Sequence, residues 1–157
     1  MKQNGVWLVP TLAAVKNILK GYDDGDRSIP DYVIDKARRV FDRHIASIKM
    51  YYEAGGRIAM GTDAGTPHNK HGENARELEY MCEIGISSRD SLFSSTASAA
   101  DLMRRPDQGR IRAGNSADFV VCDGDPLVDI RRGATKENHP LVVKGGIIAR
   151  DNRMAFA

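Results

Sequence analysis

The chain has 157 residues, which is enough for one ordinary domain or for a piece of a larger one. Hydrophobic residues make up 41% and charged residues 28%, which is the composition of a folded globular protein and excludes a disordered one. The net charge of only +2 argues against nucleic acid as the main partner.

The N-terminal segment does not resemble a targeting sequence. Its apolar run in "MKQNGVWLVPTLAAV" is short and is broken by Pro10, unlike a signal peptide. No apolar run approaches the roughly 18 residues of a membrane span. Cys82 and Cys122 form no CxxC motif, so buried, reduced thiols are expected. We therefore expect a cytoplasmic location and no membrane partner.

The first half of the chain predicts a strand, a long helix and a second strand. "VWLVPTL", residues 6 to 12, is β-branched and aromatic and predicts a buried strand, and "KGYDDGDRSIP" predicts a loop. From Asp31 to Glu53 apolar residues recur every three or four positions, with Pro30 before them and a glycine pair after them. "RIAM" then predicts a second strand, which gives the βαβ pattern of a parallel sheet.

Two further helices are predicted before the character of the chain changes. The first covers residues 73 to 84 and stops at Gly85, and the second starts at Ser87, with Asp90 completing an imperfect capping box. After Pro106 the sequence has short strand-like runs, and "PLVVKGGIIAR" predicts a hairpin. No helical period is found after residue 110. The fold class is therefore α/β, followed by a small all-β tail.

The second strand ends on Asp63, between Gly61-Thr62 and Ala64-Gly65. A lone aspartate after a strand is most often a turn former or a helix N-cap. However, parallel strands place functional residues at their carboxyl ends, and small neighbours allow a ligand or a metal to approach. From these residues alone, both interpretations remain open.

The loop after this strand, "TPHNKHG", contains His68 and His71, which are candidates for contacts with a substrate. A zinc site made of these histidines with Asp63 and Glu73 is an alternative, although the loop has no cysteine and no HExxH motif. His44 lies on the apolar face of the long helix, where a packed core residue is expected. The sequence has no GxSxG, GxGxxG or phosphate-loop motif, so serine catalysis and nucleotide binding have no support.

The order of these segments resembles a known family. "GVWLVPTL", the long helix, "AGGRIAMGTDAGTP", "HGENARELEYMCEIGIS", "STASAADLM" and "GRIRAGNSADFVVCDGDPLVDI" follow one another as in the C-terminal part of an amidohydrolase-superfamily enzyme. The resemblance is to the imidazolonepropionase-like and prolidase-like metal-dependent hydrolases, and it covers essentially the whole chain. "GTDAG" and "GNSADFVVCDGDPL" are its most specific pieces.

The resemblance implies the C-terminal part of a (β/α)₈ TIM-like barrel flanked by a small β-sandwich. Residues 1–108 would be a partial barrel with about strands seven and eight and their helices, and residues 109–157 would be the C-terminal part of the sandwich. Asp63 matches the strand-eight aspartate, which in the family binds a divalent metal, expected to be zinc, and handles the proton of the attacking water. The implied reaction is hydrolysis of an amide or other C–N bond, in a substrate of dipeptide or cyclic-amide type.

The chain departs from the family in one large respect. The other metal ligands of the family, a His-x-His pair among them, have no match here, and a TIM barrel takes roughly 250 residues. The resemblance therefore implies a fragment with an incomplete metal site that is inactive by itself. The alternative is a non-catalytic segment with a structural or assembly role. Its strands would lack neighbours, so the chain is expected to self-associate.

Overall fold

The structure is a computed structural model that describes residues 1 to 155. Its first part consists of two parallel strands and the helices between them. The α-helices in that range are α1 Leu12–Asp23, α2 Asp31–Glu53, α3 Arg76–Glu83, α4 Ser88–Ser95, α5 Ala97–Leu102 and α6 Arg131–Ala134. The strands are β1 Trp7–Leu8, β2 Arg57–Ile58, β3 Phe119–Val121, β4 Leu141–Lys144 and β5 Ile147–Asp151. Short 3₁₀ helices lie at Lys2–Asn4, Lys136–Asn138 and Arg153–Ala155. No helix in this part of the chain is long and apolar enough to cross a membrane.

The predicted βαβ pairing is confirmed, because β1 and β2 are parallel with Leu8 opposite Ile58. The Ala59 amide extends the pairing by donating to the Leu8 carbonyl at 3.1 Å. Both strands are shorter than predicted. Pro10 has no N–H to donate, and Thr11 adopts a left-handed backbone with φ 48°, so β1 ends early and a helix begins.

Helix α1 was not predicted, and its last turn covers the start of the segment interpreted as a loop. It is held in place by tertiary packing, since Leu12 and Ala13 at its start are only 1% and 3% exposed. Gly21, near its end, packs against the ring of His68 so closely that a Cβ there would lie 2.4 Å from the ring. Packing thus overrides a local sequence that resembles a loop.

Helix α2 has the predicted bounds, but its apolar face is buried only in part. Ile34, Ile48 and Tyr51 are buried, whereas Val40 is 44% exposed. The Tyr51 hydroxyl donates to the Val6 carbonyl at 2.5 Å and so ties the end of α2 to the start of β1. His44, expected in the core, is half-buried.

The helix that was predicted to begin at Ser87 is confirmed as α4. The Asp90 amide donates to the Ser87 hydroxyl oxygen at 3.1 Å, as in a capping box. The Asp90 carboxylate accepts from the Tyr52 hydroxyl at 2.6 Å and from the Ser87 hydroxyl at 2.8 Å. These hydrogen bonds, that of Tyr52 first, lower the pKa of Asp90. The capping residue therefore also joins α4 to α2.

The tail contains the predicted hairpin but is not all-β. Strands β3, β4 and β5 form an antiparallel sheet in that order, and the β4–β5 turn has positive φ at both Gly145 and Gly146, as in a type I′ turn. The prediction of no helix after residue 110 was wrong, because α6 lies between β3 and β4. Ile130 and Ala134 at the ends of α6 are buried against Leu78 of α3, which joins the tail to the α/β part.

A buried carboxylate joins α3 to the start of α1. The side chain of Glu77 is fully buried, and its two oxygens accept from the amides of Leu12 and Ala13, each at 2.7 Å. Thr11, the residue at the N-cap position, makes no side-chain cap, so Glu77 satisfies donors that would otherwise have no intrahelical partner. Burial raises the pKa of Glu77 to about 7, against the opposing pull of the two amides and of Lys16.

We expect the stability of the chain to decline as the pH rises from 4.5 to about 7. The Glu77 carboxyl binds its proton more tightly in the folded than in the unfolded chain. The stabilisation that this proton supplies is therefore complete below pH 4.5, the unfolded pKa, and is lost above about pH 7, the folded pKa. The full change is about 3 kcal/mol in the free energy of unfolding. Urea unfolding across this pH range measures it.

Glu77→Gln is expected to lower stability and to remove this pH dependence, because the amide does not titrate. Glu79→Gln, on the same helix and only partly buried, is the matched control and should keep the slope of the parent chain. The carboxyl groups whose pKa is lowered, such as Asp90, titrate below this window. An unchanged slope in Glu77→Gln would contradict the prediction.

Candidate active-site loop

The segment that leads to Asp63 runs close against the end of β1. Beyond β2, Ala59 is fully buried and the Met60 amide donates to the Ser94 carbonyl at 3.0 Å. A Cβ on Gly61 would lie 2.4 Å from the Cγ1 atom of Val9, so glycine permits this close approach. Asp63 therefore lies in the segment just beyond the carboxyl ends of the two parallel strands.

Asp63 is exposed and has a left-handed backbone with φ 56°. This conformation costs a residue other than glycine roughly 1–2 kcal/mol, although aspartate tolerates it better than most. Its carbonyl accepts from the Thr66 hydroxyl at 3.0 Å and from the Thr66 amide at 3.3 Å, which closes a turn. The residue is thus a turn former, and the turn directs its side chain outward.

The carboxylate of Asp63 has no hydrogen bond or ion pair with any other residue between 1 and 155. Most other aspartates in this range are engaged, with Asp35 and Asp42 of α2 as exceptions: Asp101, for example, accepts from Arg110 at 3.0 and 2.9 Å. The fold therefore leaves the oxygens of Asp63 available to a ligand, at the edge where parallel strands carry functional groups.

Two asparagines that were not predicted hold this loop. Asn69, only 3% exposed, donates to the Thr62 carbonyl at 2.5 Å, and Asn74 donates to the Thr62 hydroxyl at 3.2 Å. The Asn74 side chain also accepts from the Gly72 amide at 3.0 Å. Asn69 is buried and Asn74 is exposed, and hydrogen bonds of this kind to loop groups favour one loop conformation over others. Asparagine in a loop is common as a turn former, so no pattern in the sequence indicates this role.

His68 contacts the end of α1 and the loop that follows it. Its Nε2 atom lies 2.7 Å from a carboxylate oxygen of Asp26, and its ring covers Gly21. Hydrogen bonds from Ser28, and then the His68 ring, lower the pKa of Asp26. His68 thus joins the two loops. His71 is exposed beside Gly65 on the same loop as Asp63.

The zinc site considered from the sequence is not assembled in the structure. Within residues 1 to 155, no three side chains among His, Cys, Asp and Glu lie close enough to hold a metal ion. Glu73, one of the four ligands considered, lies 3.7 Å from Arg76 instead. A metal bound at Asp63 would therefore need further ligands from outside residues 1 to 155.

The two cysteines are free, and both are half-buried. Cys82 lies 3.5 Å from the hydroxyl of Ser91, and burial raises the pKa of Cys122, which disfavours the reactive thiolate. Both cysteines are free, and they are less buried than expected from the sequence.

Comparisons with known proteins agree on one family. The model of the Amidohydrolase family matches residues 1–149. Ochratoxinase of Aspergillus niger is 27% identical over 149 residues, which is 93% of this chain and 30% of that protein, and its crystal structure superposes with a TM-score of 0.77.

Two further crystal structures extend the comparison. A Xaa-Pro dipeptidase with methionine bound in its active site is 34% identical, with a TM-score of 0.81 over 94% of this chain and 35% of the dipeptidase. A mutant of the atrazine chlorohydrolase TrzN from Arthrobacter aurescens TC1, complexed with zinc and atraton, is 26% identical, with a TM-score of 0.53 over 67% of this chain and 27% of TrzN. The chain has an α/β fold similar to that of the barrel proteins in this family, with a small sheet, and spans about a third of their length.

Proposed function

This chain belongs to the amidohydrolase family, and on that premise we propose that it is part of a metal-dependent hydrolase that cleaves amide or other C–N bonds. The names of the similar proteins, a Xaa-Pro dipeptidase among them, favour a small substrate of dipeptide or cyclic-amide type. Because the chain spans about a third of these relatives, the activity is proposed for a longer protein. The isolated chain is proposed to be inactive.

Residues 1–108 are proposed to be the part of a (β/α)₈ barrel that carries strands seven and eight. The parallel pairing of β1 with β2, with α1 and α2 between them in the chain, supports this position. Residues 109–157, of which 156 and 157 lie outside the described part, are proposed as the C-terminal part of a flanking β-sandwich. The antiparallel sheet of β3, β4 and β5 is consistent with that role.

Asp63 is the proposed catalytic residue, and the observation that carries the proposal is its unpaired carboxylate at the carboxyl ends of two parallel strands. A bound divalent ion would supply an acidified water, since it lowers the pKa of water toward about 7. Asp63 would accept the proton of that water as a general base. It would then return the proton to the nitrogen of the leaving group as a general acid.

Asp63 would also be one ligand of the metal, for which we propose zinc. The zinc in the structure of TrzN supports that choice of metal. One carboxylate does not hold an ion, and the residues from 1 to 155 gather no set of three ligands. The remaining ligands are therefore proposed to come from another part of the longer protein.

His71 is the better candidate for a contact with the substrate. It is exposed on the loop that carries Asp63, whereas His68 is engaged with Asp26 at 2.7 Å. The alternative to a catalytic role is a non-catalytic segment that acts as a structural or assembly piece. The absence of a metal-ligand cluster within residues 1 to 155 favours that alternative for the chain by itself.

The proposal is tested in a chimera in which this chain replaces the matching segment of the Xaa-Pro dipeptidase. With zinc added, the chimera is expected to hydrolyse Xaa-Pro dipeptides, and the isolated chain is not. Asp63→Asn in the chimera should lower kcat roughly 10²- to 10⁴-fold, because proton transfer acts in the transition state. KM should change little.

Asp24→Asn is the matched control, because Asp24 is an exposed aspartate whose ion-pair partner within residues 1 to 155 is Lys20, at 2.6 Å. It should leave both constants unchanged. A kcat of Asp63→Asn within about threefold of the parent chimera would contradict the catalytic role, given the expected size of the effect. A folded, zinc-loaded chimera without turnover would favour the non-catalytic alternative.

We also propose that the isolated chain self-associates through its strands. Within residues 1 to 155, β1 and β2 pair only with each other, and apolar residues of the tail sheet are exposed, with Val120 at 48% and Ile147 at 74%. Open edges and apolar faces favour pairing with a second chain. Size-exclusion chromatography with light scattering should give species heavier than the 17.3 kDa monomer.

Ile147→Lys, on the edge strand β5, is expected to reduce this association. Ile111→Lys is the matched control, since Ile111 is 96% exposed but lies outside the strands. A single monomeric species at all concentrations in the parent chain would contradict the proposal.

A further inference from the structure

We infer that Asn69 is a positioning residue that fixes the backbone of Asp63; the inference rests on the proposed catalytic role of Asp63. Asn69 does not contact the carboxylate. It holds the main chain on both sides of Asp63, so that the direction of the carboxylate depends on it.

The first contact fixes the peptide that precedes Asp63. The Asn69 side-chain amide donates to the Thr62 carbonyl at 2.5 Å. That carbonyl belongs to the same planar unit as the Asp63 amide, so its orientation sets the φ rotation of Asp63. The same amide lies 3.3 Å from the Thr66 hydroxyl oxygen, which in turn donates to the Asp63 carbonyl at 3.0 Å.

The second contact fixes the chain that follows Asp63. In the main chain, the Asn69 carbonyl oxygen accepts from the Gly65 N–H at 2.8 Å, and the Asn69 N–H donates to the Thr66 carbonyl at 2.9 Å. Asn69 therefore makes hydrogen bonds to the chain on both sides of Asp63, beside the two that Thr66 donates to the Asp63 carbonyl. Without them, the left-handed backbone of Asp63 has little to oppose its return to a common conformation.

The orientation of the Asn69 side chain is determined by its partners. The Thr62 carbonyl only accepts, so the NH₂ group of Asn69 must face it. The oxygen of Asn69 then faces the NH₂ group of Asn17 at 3.5 Å, and the oxygen of Asn17 accepts from the Tyr80 hydroxyl at 2.9 Å. These contacts join the loop to α1 and then to α3, so the packing of the two helices helps to hold the Asp63 loop in place.

Asn69→Asp tests the inference on the full chain, because it keeps the shape of the side chain and replaces its donor by an oxygen. Hydrogen–deuterium exchange should show the Gly65 amide exchanging about tenfold faster, because losing the side-chain hydrogen bond to the Thr62 carbonyl makes opening of the loop easier by roughly the worth of one hydrogen bond. In the NMR spectrum, the strong contact between the amide and α protons of Asp63 that a left-handed residue gives should weaken.

Asn138→Asp is the matched control, since Asn138 also donates to a backbone carbonyl, that of Arg131 at 3.1 Å, but lies in the tail. It should leave both signals of the Asp63 loop unchanged. Tyr80→Phe, which removes only the hydroxyl that holds Asn17, gives a milder second variant if Asn69→Asp does not fold. It should loosen the loop in the same direction.

The inference is overturned if Asp63 keeps its proton signature and the Gly65 amide its protection in both variants. It is also overturned if the parent chain lacks the left-handed signature. These outcomes do not depend on catalysis, whereas the proposed function fails if Asp63→Asn leaves turnover in the chimera intact.

Discussion

The arrangement of the α/β part depends on the carboxylate of Glu77 between α3 and the first amides of α1. A fully buried acid costs free energy unless its oxygens are satisfied, and here both accept from a helix start that has no other cap. The contact fixes α1 against α3. Helix α1 in turn carries Asn17 and Gly21, which meet the loop of Asp63 through Asn69 and His68.

The features that could be predicted from the sequence are those encoded by neighbouring residues. Helix α2 extends over 23 residues with a clear apolar period, so its bounds from Asp31 to Glu53 followed directly. The cap at Ser87 and the hairpin at Gly145-Gly146 are likewise set by a few adjacent residues. Asp63 was singled out from the sequence because glycines mark the end of an apolar run there. The family match of residues 1–149 confirms the resemblance from which its proposed role was taken.

The features that were missed depend on contacts between residues that no local pattern in the sequence connects. Helix α1 begins where Glu77, 65 residues away from Leu12, caps it, and no local signal in "LAAVKNILKGYD" indicates that acceptor. Glu77 itself lies among charged residues, although its spacing of one turn from the buried Met81 was a usable sign of burial. Asn69 and Asn74 look like ordinary loop residues until the Thr62 carbonyl and hydroxyl are placed beside them.

Glu77 and Asp63 are two acids whose side chains the fold uses in opposite ways. Glu77 has no exposed surface and uses both oxygens to hold backbone amides, so it has nothing left to offer a substrate. Asp63 is exposed, and the fold uses only its backbone: Thr66 holds its carbonyl, and Asn69 holds the peptide before it. Because the main chain of Asp63 is already held on both sides, binding a ligand there has to order only the side chain. An accessible carboxylate on a fixed main chain is what the proposed role of Asp63 in taking up and returning a proton requires, and Glu77 does not meet that requirement.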